Sequence, residues 1–397
     1  MSLANLTVPG AMLAKSTVAV ELVTTVDGVV ALEPCYEHLH RVTGNTLPFA
    51  LHEWHVAWVS HFLNCHSHIQ EEPRFHVLRD PAGACVAILP FIASRRRFGP
   101  LKVVSVDLLG ADPAITEIRV PLIQPGYEQL TAYAVQQHLA NAGRWDWIHW
   151  TGIDPIFADA LAIRGNLRWQ PPLSTFVLDM TPSWDDFRRG LKRNIRESLR
   201  HCYNSLQRDG HPFELHVIDS LPELHGGLDR FFELHRMRAE WKDAPPHADR
   251  FANPLLRAFL RDVCERLCRR GAVRLFQLKV RSQVVATRLG FVVGDSLYLY
   301  YSGFDPAWAR YSVMTTTVAE AIKYAIAQGL KTVNLSPAKD VSKTRWSPRQ
   351  VDYASVYENA GRLRSRLARD AYLRARGGAG LQSRVLQRLI SARRHWY

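Results

Sequence analysis

Residues 273–302 read VRLFQLKVRSQVVATRLGFVVGDSLYLYYS, three runs of β-branched, aliphatic and aromatic residues. Two short polar segments separate the runs, Arg281-Ser282-Gln283 and Gly294-Asp295. Strands that are joined by turns this short pair antiparallel, because a parallel pairing needs a long crossover connection. The stretch therefore predicts a three-stranded antiparallel meander, with strands at 273–280, 284–293 and 296–302.

The segments on either side of the meander complete an α+β unit. Apolar residues at helical spacing predict a helix over 313–328, which ends at Gly329, and a strand follows at 331–336. Upstream, the segment from Ser183 to Asp186 has the form of a capping box and predicts one long helix that reaches Leu206. The remaining upstream predictions are strands at 174–180 and 213–219 and helices at 222–241 and 253–270.

The first part of the chain predicts a second, smaller α/β unit. Its strands are expected near Val18, at 74–79, 84–92, 101–109, 118–123 and 145–151, and its helices at 50–64, 127–141 and 155–165. Pro171-Pro172 follows this unit and indicates a boundary there. Since 397 residues usually form two or more domains, we expect domains at 1–170 and 171–360 and a tail at 361–397.

The positive charge is concentrated in the tail. Residues 361–397 hold ten Arg and one Asp, which accounts for most of the formal net charge of +13. An apolar stripe, made of Leu381, Val385, Leu386, Leu389 and Ile390, lies opposite Arg384 and Arg388 on a predicted helix. Such a helix either contacts an anionic membrane surface or a partner, or packs on its own domain.

Other sequence signals exclude several classes of protein. No run of about 20 apolar residues predicts a membrane span, and no signal peptide is recognisable at the start. We therefore expect a cytoplasmic protein, or one that is peripheral at the inner face of the membrane. The six cysteines form no CxxC pair, and no His/Cys spacing is typical of a metal site, so no metal is expected.

Several motifs, in order along the chain, carry a resemblance to a known family. They are Arg193-Asn-Ile-Arg196-Glu-Ser-Leu-Arg200, Phe232-Glu-Leu-His235-Arg236-Met-Arg238, Val285-Ala-Thr-Arg288-Leu-Gly290, Tyr298-Leu-Tyr300-Tyr301-Ser302-Gly303-Phe304-Asp305 and Lys343-Thr-Arg345-Trp346. Together with Ala87-Ile-Leu89-Pro90 and Arg95-Arg96-Arg97, they resemble the GNAT-like acyltransferases of the CelD-like type, which act in cellulose and exopolysaccharide biosynthesis. More distantly the chain resembles the Fem-type aminoacyl ligases. Both resemblances imply two GNAT-like lobes, each with a mixed, mostly antiparallel sheet flanked by helices.

The resemblance implies acetyl-CoA or another acyl-CoA as the co-substrate. Its pyrophosphate would lie on the loop Arg310-Tyr311-Ser312-Val313-Met314, because free N–H groups at a helix N-terminus bind anions. The GNAT pattern has a small residue where this chain has Val313, and Thr315 stands at the second small position. Two interpretations of the loop stay open: a phosphate site, or an ordinary helix cap by Ser312.

Candidate catalytic residues lie in the last meander strand and in the helix at 222–241. Alternation places Tyr298, Tyr300 and Ser302 on one face of the strand, and a strand of this kind can present N–H groups to the thioester carbonyl. Tyr300 and Ser302 are the catalytic candidates there, with simple core packing as the alternative. His235 is the candidate base, because imidazole titrates near neutral pH; Glu240 and Asp305 are weaker alternatives.

Two groups of cations are candidates for substrate binding. Lys343 and Arg345 follow the last predicted strand and could bind an anionic group of the donor or acceptor. Arg193 and Arg196 belong to a basic helical face that also includes Arg189, Lys192 and Arg200. This face predicts an anion-binding wall, unless it is merely solvated.

The leading hypothesis is an enzyme that transfers an acyl group from CoA, or from an acyl carrier protein, to an amino sugar, a sugar hydroxyl or an amine. The resemblance supplies the context of exopolysaccharide or envelope polymer synthesis. Two alternatives remain open. One is a Fem-like transferase that uses aminoacyl-tRNA, and the other is a non-catalytic GNAT-fold scaffold.

Overall fold

A computed structural model describes residues 4–7, 17–65, 69–98, 101–111, 115–141, 145–163, 167–243 and 247–377. The chain divides into two compact units. Unit 1 comprises residues 1–45, 49–173 and 352–397, and unit 2 comprises residues 46–48 and 174–351. The division falls at 173/174 rather than at the predicted 170/171, and the chain returns to unit 1 at Asp352, before the predicted limit at 360.

Unit 1 begins with an antiparallel sheet and helices that pack on it. Its elements are β1 (Ala4–Thr7), β2 (Thr17–Val23), α1 (Val26–Val30), α2 (Glu33–Thr43), α3 (His52–Phe62), β3 (Ile69–Arg79), β4 (Cys85–Phe98), β5 (Leu101–Leu108), β6 (Leu122–Ile123), α4 (Glu128–Asn141), β7 (Trp147–Ile153), α5 (Pro155–Ala162) and β8 (Leu167–Trp169). A 3₁₀ turn at Pro48–Ala50 precedes α3.

Unit 2 contains the predicted meander and the elements around it. They are β9 (Leu173–Asp179), α6 (Trp184–Gly190), α7 (Arg193–Arg208), β10 (Phe213–Ile218), α8 (Leu221–Glu240), α9 (Pro254–Arg269), β11 (Val273–Val280), β12 (Gln283–Val293), β13 (Ser296–Phe304), α10 (Val313–Ala327), β14 (Thr332–Pro337) and α11 (Val341–Thr344). The 3₁₀ helices Arg250–Ala252 and Pro306–Tyr311 precede α9 and α10. Then β15 (Arg349–Asn359) leads back to unit 1, where α12 (Leu363–Gly377) follows.

The strand order in unit 1 is β1-β2-β3-β4-β5-β7-β15. All of these pairs are antiparallel except β5–β7, where Ser105, Val106 and Asp107 pair with Trp147, Ile148 and His149. Buried aromatic rings fill the space over the parallel pair, among them Trp147 against Tyr372 of α12 with ring centroids 5.3 Å apart.

The strand order in unit 2 is β9-β14-β13-β12-β11-β10. The meander β11-β12-β13 is antiparallel, as predicted, and β13 pairs in parallel with β14 through Ser296, Leu297 and Tyr298. The apolar face of α10 lies on this sheet, in a core that includes Leu297, Leu299, Ile322 and Val333. The predicted α+β architecture of two helix-flanked, mostly antiparallel sheets is therefore confirmed.

The structure differs from three of the predictions for individual elements. The long helix predicted from Ser183 is two helices, because Leu191 and Lys192 are extended, with ψ of 148° and 152°, and Leu191 turns into the core. The strand predicted at 118–123 is only Leu122–Ile123. The tail predicted from 361 begins with α12, which belongs to unit 1 and donates from Ser365 to the buried carboxylate of Asp146 at 2.8 Å.

The other tail residues lie outside the described part of the chain. This applies to the predicted apolar stripe from Leu381 to Ile390 and to Arg384, Arg388, Arg393 and Arg394. Among the described residues, none of the helices is long and apolar enough to cross a membrane.

Candidate active site

A cavity of about 230 Å³ lies in unit 2 where β13 and β14 separate. The parallel pairing of the two strands ends at Tyr298 and Asn334, whereas β13 continues six residues further to Phe304. Ser302 and Phe304 of β13 and Leu335 of β14 line the cavity. Beyond Tyr298, β13 therefore has no register partner in β14, and Ser302 and Phe304 of this segment border the cavity.

The cavity lining is cationic. Four of its side chains carry positive charge, Arg238, Arg288, Lys343 and Arg345, and its described lining residues include no Asp or Glu. Its other lining residues are Trp241, Ser302, Phe304, Ala309, Ser312, Val313, Met314, Thr315, Val318, Leu335, Ser342 and Trp346. A concave surface with several cations and no carboxylate is suited to an anionic ligand.

Two side chains of α8 hold Ser302 in place. Arg238 donates from Nη1 to Ser302 Oγ at 2.9 Å, and burial lowers the pKa of this guanidinium. His235 Nδ1 lies 2.9 Å from the carbonyl oxygen of Ser302, so Nδ1 must carry the hydrogen. Since Ser302 Oγ accepts from Arg238, its own hydroxyl hydrogen is directed elsewhere, and Ser302 lines the cavity.

The close approach of α8 to β13 depends on Gly303. A Cβ atom at this position would lie 2.3 Å from the backbone nitrogen of His235 and 2.4 Å from the carbonyl carbon of Leu234. No side chain fits at that distance, so a glycine is needed next to Ser302 if α8 is to reach the strand.

The imidazole of His235 lies behind the strand. It is completely buried, in contact with the rings of Phe251, Tyr301 and His247, and it is not among the residues that line the cavity. Burial lowers its pKa, with the hydrogen bond to Ser302 acting in the opposite direction. The ring therefore positions Ser302, and its predicted role as a base stays a prediction.

Tyr300 also lies away from the cavity. The pairing of β12 with β13 shifts register between Arg288 and Gly290, which leaves an extra residue in β13 between Leu299 and Ser302. Simple alternation of faces is therefore wrong for this strand. Tyr300 packs on Phe291 and Tyr301, and its side chain is buried.

The N-terminus of α10 opens into the cavity. Ser312 precedes the helix in the left-handed conformation, with φ of 52°, and its side chain does not cap the helix. Thr315 and Thr316 donate their N–H groups to the carbonyl of Ser312, at 2.8 and 3.3 Å. Val313 and Met314 are the first two helical residues, whose N–H groups have no acceptor within a helix. The predicted side-chain cap by Ser312 is thus wrong, and the amide end of α10 faces the cavity.

The loop between β14 and α11 brings Lys343 and Arg345 to the same cavity. Ser336, near the end of β14, and Ala338, at the start of the loop, have φ of 69° and 73°, a conformation that costs a non-glycine residue free energy. Lys343 donates from Nζ to the carbonyl of Pro337 and lies 3.8 Å from Asp340, so its ammonium is fixed at the cavity wall. The tight turn after β14 therefore places both predicted cations beside the N-terminus of α10.

Of the predicted site residues, the structure brings together Ser302, Ser312, Val313, Met314, Lys343 and Arg345. Arg310 and Tyr311 lie next to them in the chain but outside the lining. The Arg310 side chain is 72% exposed, and its guanidinium contacts the hydroxyl of Tyr311, which donates to Asp209.

Sequence reasoning missed Arg238, Trp241 and Arg288 as site residues. The motifs that carry the family resemblance contain both arginines. A basic residue on a helix or strand is most often solvated, so only the cavity distinguishes these two from the other arginines.

Arg193 and Arg196 line a second concavity of unit 2, here called the basic groove. It is formed by α6, α7 and α10, has a volume of about 750 Å³, and is lined by Trp184, Arg188, Arg189, Arg193, Arg196, Glu197, Leu199, Arg200, Tyr203, Asn204 and Lys323. It shares no lining residue with the cavity at Ser302. Arg193 and Arg196 are therefore not part of the cavity with Lys343 and Arg345.

Among the described residues, no group of three or more His, Cys, Asp or Glu could hold a metal ion. The chemistry of the cavity is instead that of cations, hydroxyls and amides, which can bind an anion and stabilise a developing negative charge.

Comparisons with known proteins agree with this geometry. Residues 193–344 match the family model described as Acetyltransferase (GNAT) domain, a range that includes most of the lining residues of the cavity and of the basic groove. A search of curated protein sequences finds no match.

Solved structures with the same fold include FemX, with a TM-score of 0.51, 11% identity, and coverage of 75% of this chain and 95% of FemX. The C-terminal domain (DUF2156) of a putative lysylphosphatidylglycerol synthetase from Agrobacterium fabrum has a TM-score of 0.51 and 12% identity, with coverage of 89% and 99%. L-PGS from Bacillus licheniformis has a TM-score of 0.50 and 13% identity, with coverage of 89% and 96%. Residues 193–344 of unit 2 are thus similar to a GNAT-type acetyltransferase domain, and the chain shares its fold with these structures.

Proposed function

We propose that unit 2 transfers an acyl group from an acyl-CoA thioester to an amine or hydroxyl of the acceptor. The observation that carries this proposal is the cationic cavity at the point where β13 and β14 diverge, with the amide end of α10 on its wall. A thioester that is linked to a pyrophosphate needs both features, one for the reacting carbonyl and one for the phosphates.

The donor would lie with its pyrophosphate on the Val313 and Met314 amides. Arg345 and Lys343 line the same cavity and would pair with the phosphate oxygens. Val313 stands where GNAT proteins have a small residue, but its side chain is buried in a core with Tyr311 and Phe304. The turn through Ser312 directs this side chain inward, so its bulk need not cover the amides.

The acyl transfer itself would take place beside Ser302. The acceptor attacks the thioester carbon, negative charge develops on the carbonyl oxygen, and the carbon–sulfur bond breaks to release a thiolate. Backbone N–H groups of β13 beyond Tyr298 would stabilise the oxyanion. Ser302, whose oxygen accepts from Arg238, would donate a hydrogen bond to the thiolate sulfur. The proton that the acceptor loses would pass to solvent, and the released thiolate would take a proton from solvent.

The acceptor class is proposed from the family resemblance. An amino sugar, a sugar hydroxyl or an amine metabolite would fit a cavity that has hydroxyl and cationic groups on its wall. Exopolysaccharide or envelope polymer synthesis is the corresponding biological setting.

A Fem-like transfer from aminoacyl-tRNA is the second candidate. Two observations favour it: Val313 in place of the small residue, and the cationic lining of the basic groove. In that case, the cavity would hold the aminoacyl ester, and CoA would not bind.

Isothermal titration calorimetry with acetyl-CoA and longer acyl-CoAs tests the proposal. We expect binding by the wild type, and a loss of at least about tenfold in affinity in Arg345→Ala, since a charge-assisted contact contributes about 1.5–3 kcal/mol. Arg257→Ala is the matched control, because Arg257 is exposed, makes no ion pair with the described residues and lies outside the cavity lining. If folded protein binds none of these thioesters, the CoA donor is excluded, and the aminoacyl-tRNA and scaffold alternatives remain.

A further inference from the structure

We propose that the basic groove binds a ligand that carries at least two phosphate groups, at a site separate from the acyl-transfer cavity. The proposal does not depend on acyl-CoA as the donor, because the groove and the cavity share no lining residue.

The charge of the groove is the first argument. Five arginines and one lysine line it, with Glu197 as the one acid among its described lining residues. Several of these cations have an acidic neighbour: Arg188 lies 3.2 Å from Asp185, Arg193 lies 2.6 Å from Glu197, and Arg189 contacts Asp186. These pairs are exposed and solvated, so they leave the guanidinium groups available to a ligand.

Arg196 and Arg200 are the second argument. They lie four residues apart on α7, both are exposed, and neither makes an ion pair or side-chain hydrogen bond with another described residue. Two guanidinium groups one helical turn apart repel each other. A ligand with two anionic groups at the corresponding spacing would remove that repulsion.

The N-terminus of α7 adds to this argument. The helix begins with Lys192 and Arg193 and has Arg196 in its first turn, without an acidic residue there and without a side-chain cap. The positive end of a helix dipole disfavours cations, so this arrangement is unfavourable for the helix alone. The Ile195 amide already donates to Asn194 Oδ1 at 2.8 Å, and a bound anion would interact with the amides before it and with the arginines together.

One wall of the groove is preorganised. Lys323 of α10 lies 2.7 Å from Glu320, 4.6 Å from the ring centre of Tyr203 and 5.2 Å from that of Trp184. The Tyr203 hydroxyl in turn donates to Glu320. The lysine is therefore held against two aromatic rings, which gives the groove a fixed side opposite α7.

Phosphate is the anion that these residues fit best. A planar guanidinium donates two parallel hydrogen bonds to a phosphate, and arginine predominates in this lining. The groove, at about 750 Å³, is large enough for several phosphate groups. Such groups could come from a small diphosphate, such as a nucleoside diphosphate, or from the backbone of a nucleic acid.

Binding of three probes tests the proposal: inorganic pyrophosphate, ADP, and a fluorescent single-stranded RNA of about ten nucleotides. We expect at least one of them to bind the wild type, and the double variant Arg196→Ala/Arg200→Ala to bind it at least tenfold more weakly. The matched control is Arg236→Ala/Arg257→Ala, which removes two exposed arginines of α8 and α9 that make no ion pair with the described residues. This control should bind as the wild type does.

The Arg345→Ala variant separates this site from the cavity. If pyrophosphate or ADP binds in the groove, the Arg345→Ala variant should bind it as the wild type does. If the probe binds only in the cavity, Arg345→Ala should lose binding and the groove variant should keep it. Binding of the diphosphates alone identifies a small-molecule ligand, and RNA binding that weakens steeply with salt identifies a nucleic acid backbone. The proposal is overturned if none of the probes binds, or if the groove variant binds them as tightly as the wild type.

Discussion

Each unit contains a buried or half-buried arginine that donates a hydrogen bond to a serine. In both units this serine lies on the first strand of a parallel pair whose two strands are connected through a helix, here called the crossover helix. The pair is β5 and β7 with α4 in unit 1, and β13 and β14 with α10 in unit 2. In unit 1, Arg96 donates from Nη1 to Ser105 Oγ at 2.6 Å, and Ser105 donates its own hydrogen to Asp107 at 3.1 Å. In unit 2, Arg238 donates to Ser302 Oγ at 2.9 Å, and no described carboxylate accepts the Ser302 hydrogen. The first serine therefore belongs to an internal hydrogen-bond network, whereas the hydroxyl hydrogen of the second has no acceptor among the described residues.

The strands around the two serines explain this difference. In unit 1, β5 ends at Leu108, one residue after its last parallel pair with β7, and His149 stacks on Tyr357 at 4.1 Å beside Asp107. In unit 2, β13 runs six residues past its last pair with β14, which opens the cavity. The same supersecondary unit is therefore closed by packing in one case and open in the other.

The crossover helices α4 and α10 also differ in whether the chain places a carboxylate at their N-terminal end. The first turn of α4 contains Glu128, a carboxylate that the chain itself supplies at the positive end of the helix. The first turn of α10 contains no acidic residue, and its amides face the cationic cavity. The comparison teaches that the chain itself supplies a carboxylate to the serine and to the helix start in unit 1, whereas the described residues supply none at the corresponding places in unit 2.

The largest expected effect comes from Gly303→Ala. The added Cβ would overlap the backbone of α8, which must then move away from Ser302. We expect acyl transfer to fall by more than about 100-fold, since small displacements of a site have that effect, and stability to fall by roughly 1–3 kcal/mol. Activity assays and urea unfolding measure the two.

Gly226→Ala, on helix α8 that packs against Gly303, is the control. An added Cβ at Gly226 meets no atom within 4 Å, and alanine favours a helix. This variant should be fully active and at least as stable as the wild type. Equal behaviour of the two variants would contradict the close approach at Ser302.

An intermediate effect is expected from paired serine variants. Ser302→Ala should lower kcat by about 10- to 100-fold, because the departing thiolate loses its hydrogen-bond donor, and leave the affinity for the donor almost unchanged. Ser105→Ala should leave kcat unchanged and lower stability by about 1 kcal/mol through the loss of its hydrogen bonds. Steady-state kinetics and unfolding curves of both variants test the difference between the units. A loss of kcat in Ser105→Ala, or none in Ser302→Ala, would reverse the assignment.

The smallest effect concerns the pH dependence of unit 1. Burial, together with the nearby His138 and Arg74, lowers the pKa of His76 to about 3. The unfolded chain binds a proton at this residue near pH 6.5, but the folded chain does not, so stability is fully present above that pH and is lost as the pH falls toward 3. We expect a loss of up to about 1.4 kcal/mol per pH unit from this residue between pH 6 and 4.

His76→Gln tests this expectation, since an amide can still donate to the carbonyl of Arg74, which lies 3.0 Å from the imidazole. The urea midpoint of this variant should depend less steeply on pH than that of the wild type, by about one proton. His225→Gln, a change at a half-exposed histidine of α8, should keep the wild-type slope. Parallel slopes for all three proteins would show that His76 is not the titrating group.

The sequence predicted those parts of the molecule that local patterns specify. The meander follows from its short turns, and the helices α8, α9 and α10 follow from apolar spacing and caps. Ser302, Ser312, Val313 and Met314 line one cavity because they lie near the end of β13 or at the start of α10, and the turn after β14 adds Lys343 and Arg345. The break between α6 and α7 was missed, since Leu191 continues the helical apolar spacing although it is extended in the structure.

Other features of the site were decided only by the tertiary structure, because they depend on contacts between residues that are far apart in the chain. The roles of Arg238 and His235 follow from the crossing of α8 with β13, and the extra residue in β13 moves Tyr300 away from the cavity. Short-range patterns cannot give these contacts, because the register of strands and the approach of helices are set by packing throughout the unit. By itself, the sequence determined a meander with a helix behind it and a cationic loop. The tertiary structure decided which of two similar strand pairs stays open, because only there does one strand extend far beyond the end of its pairing.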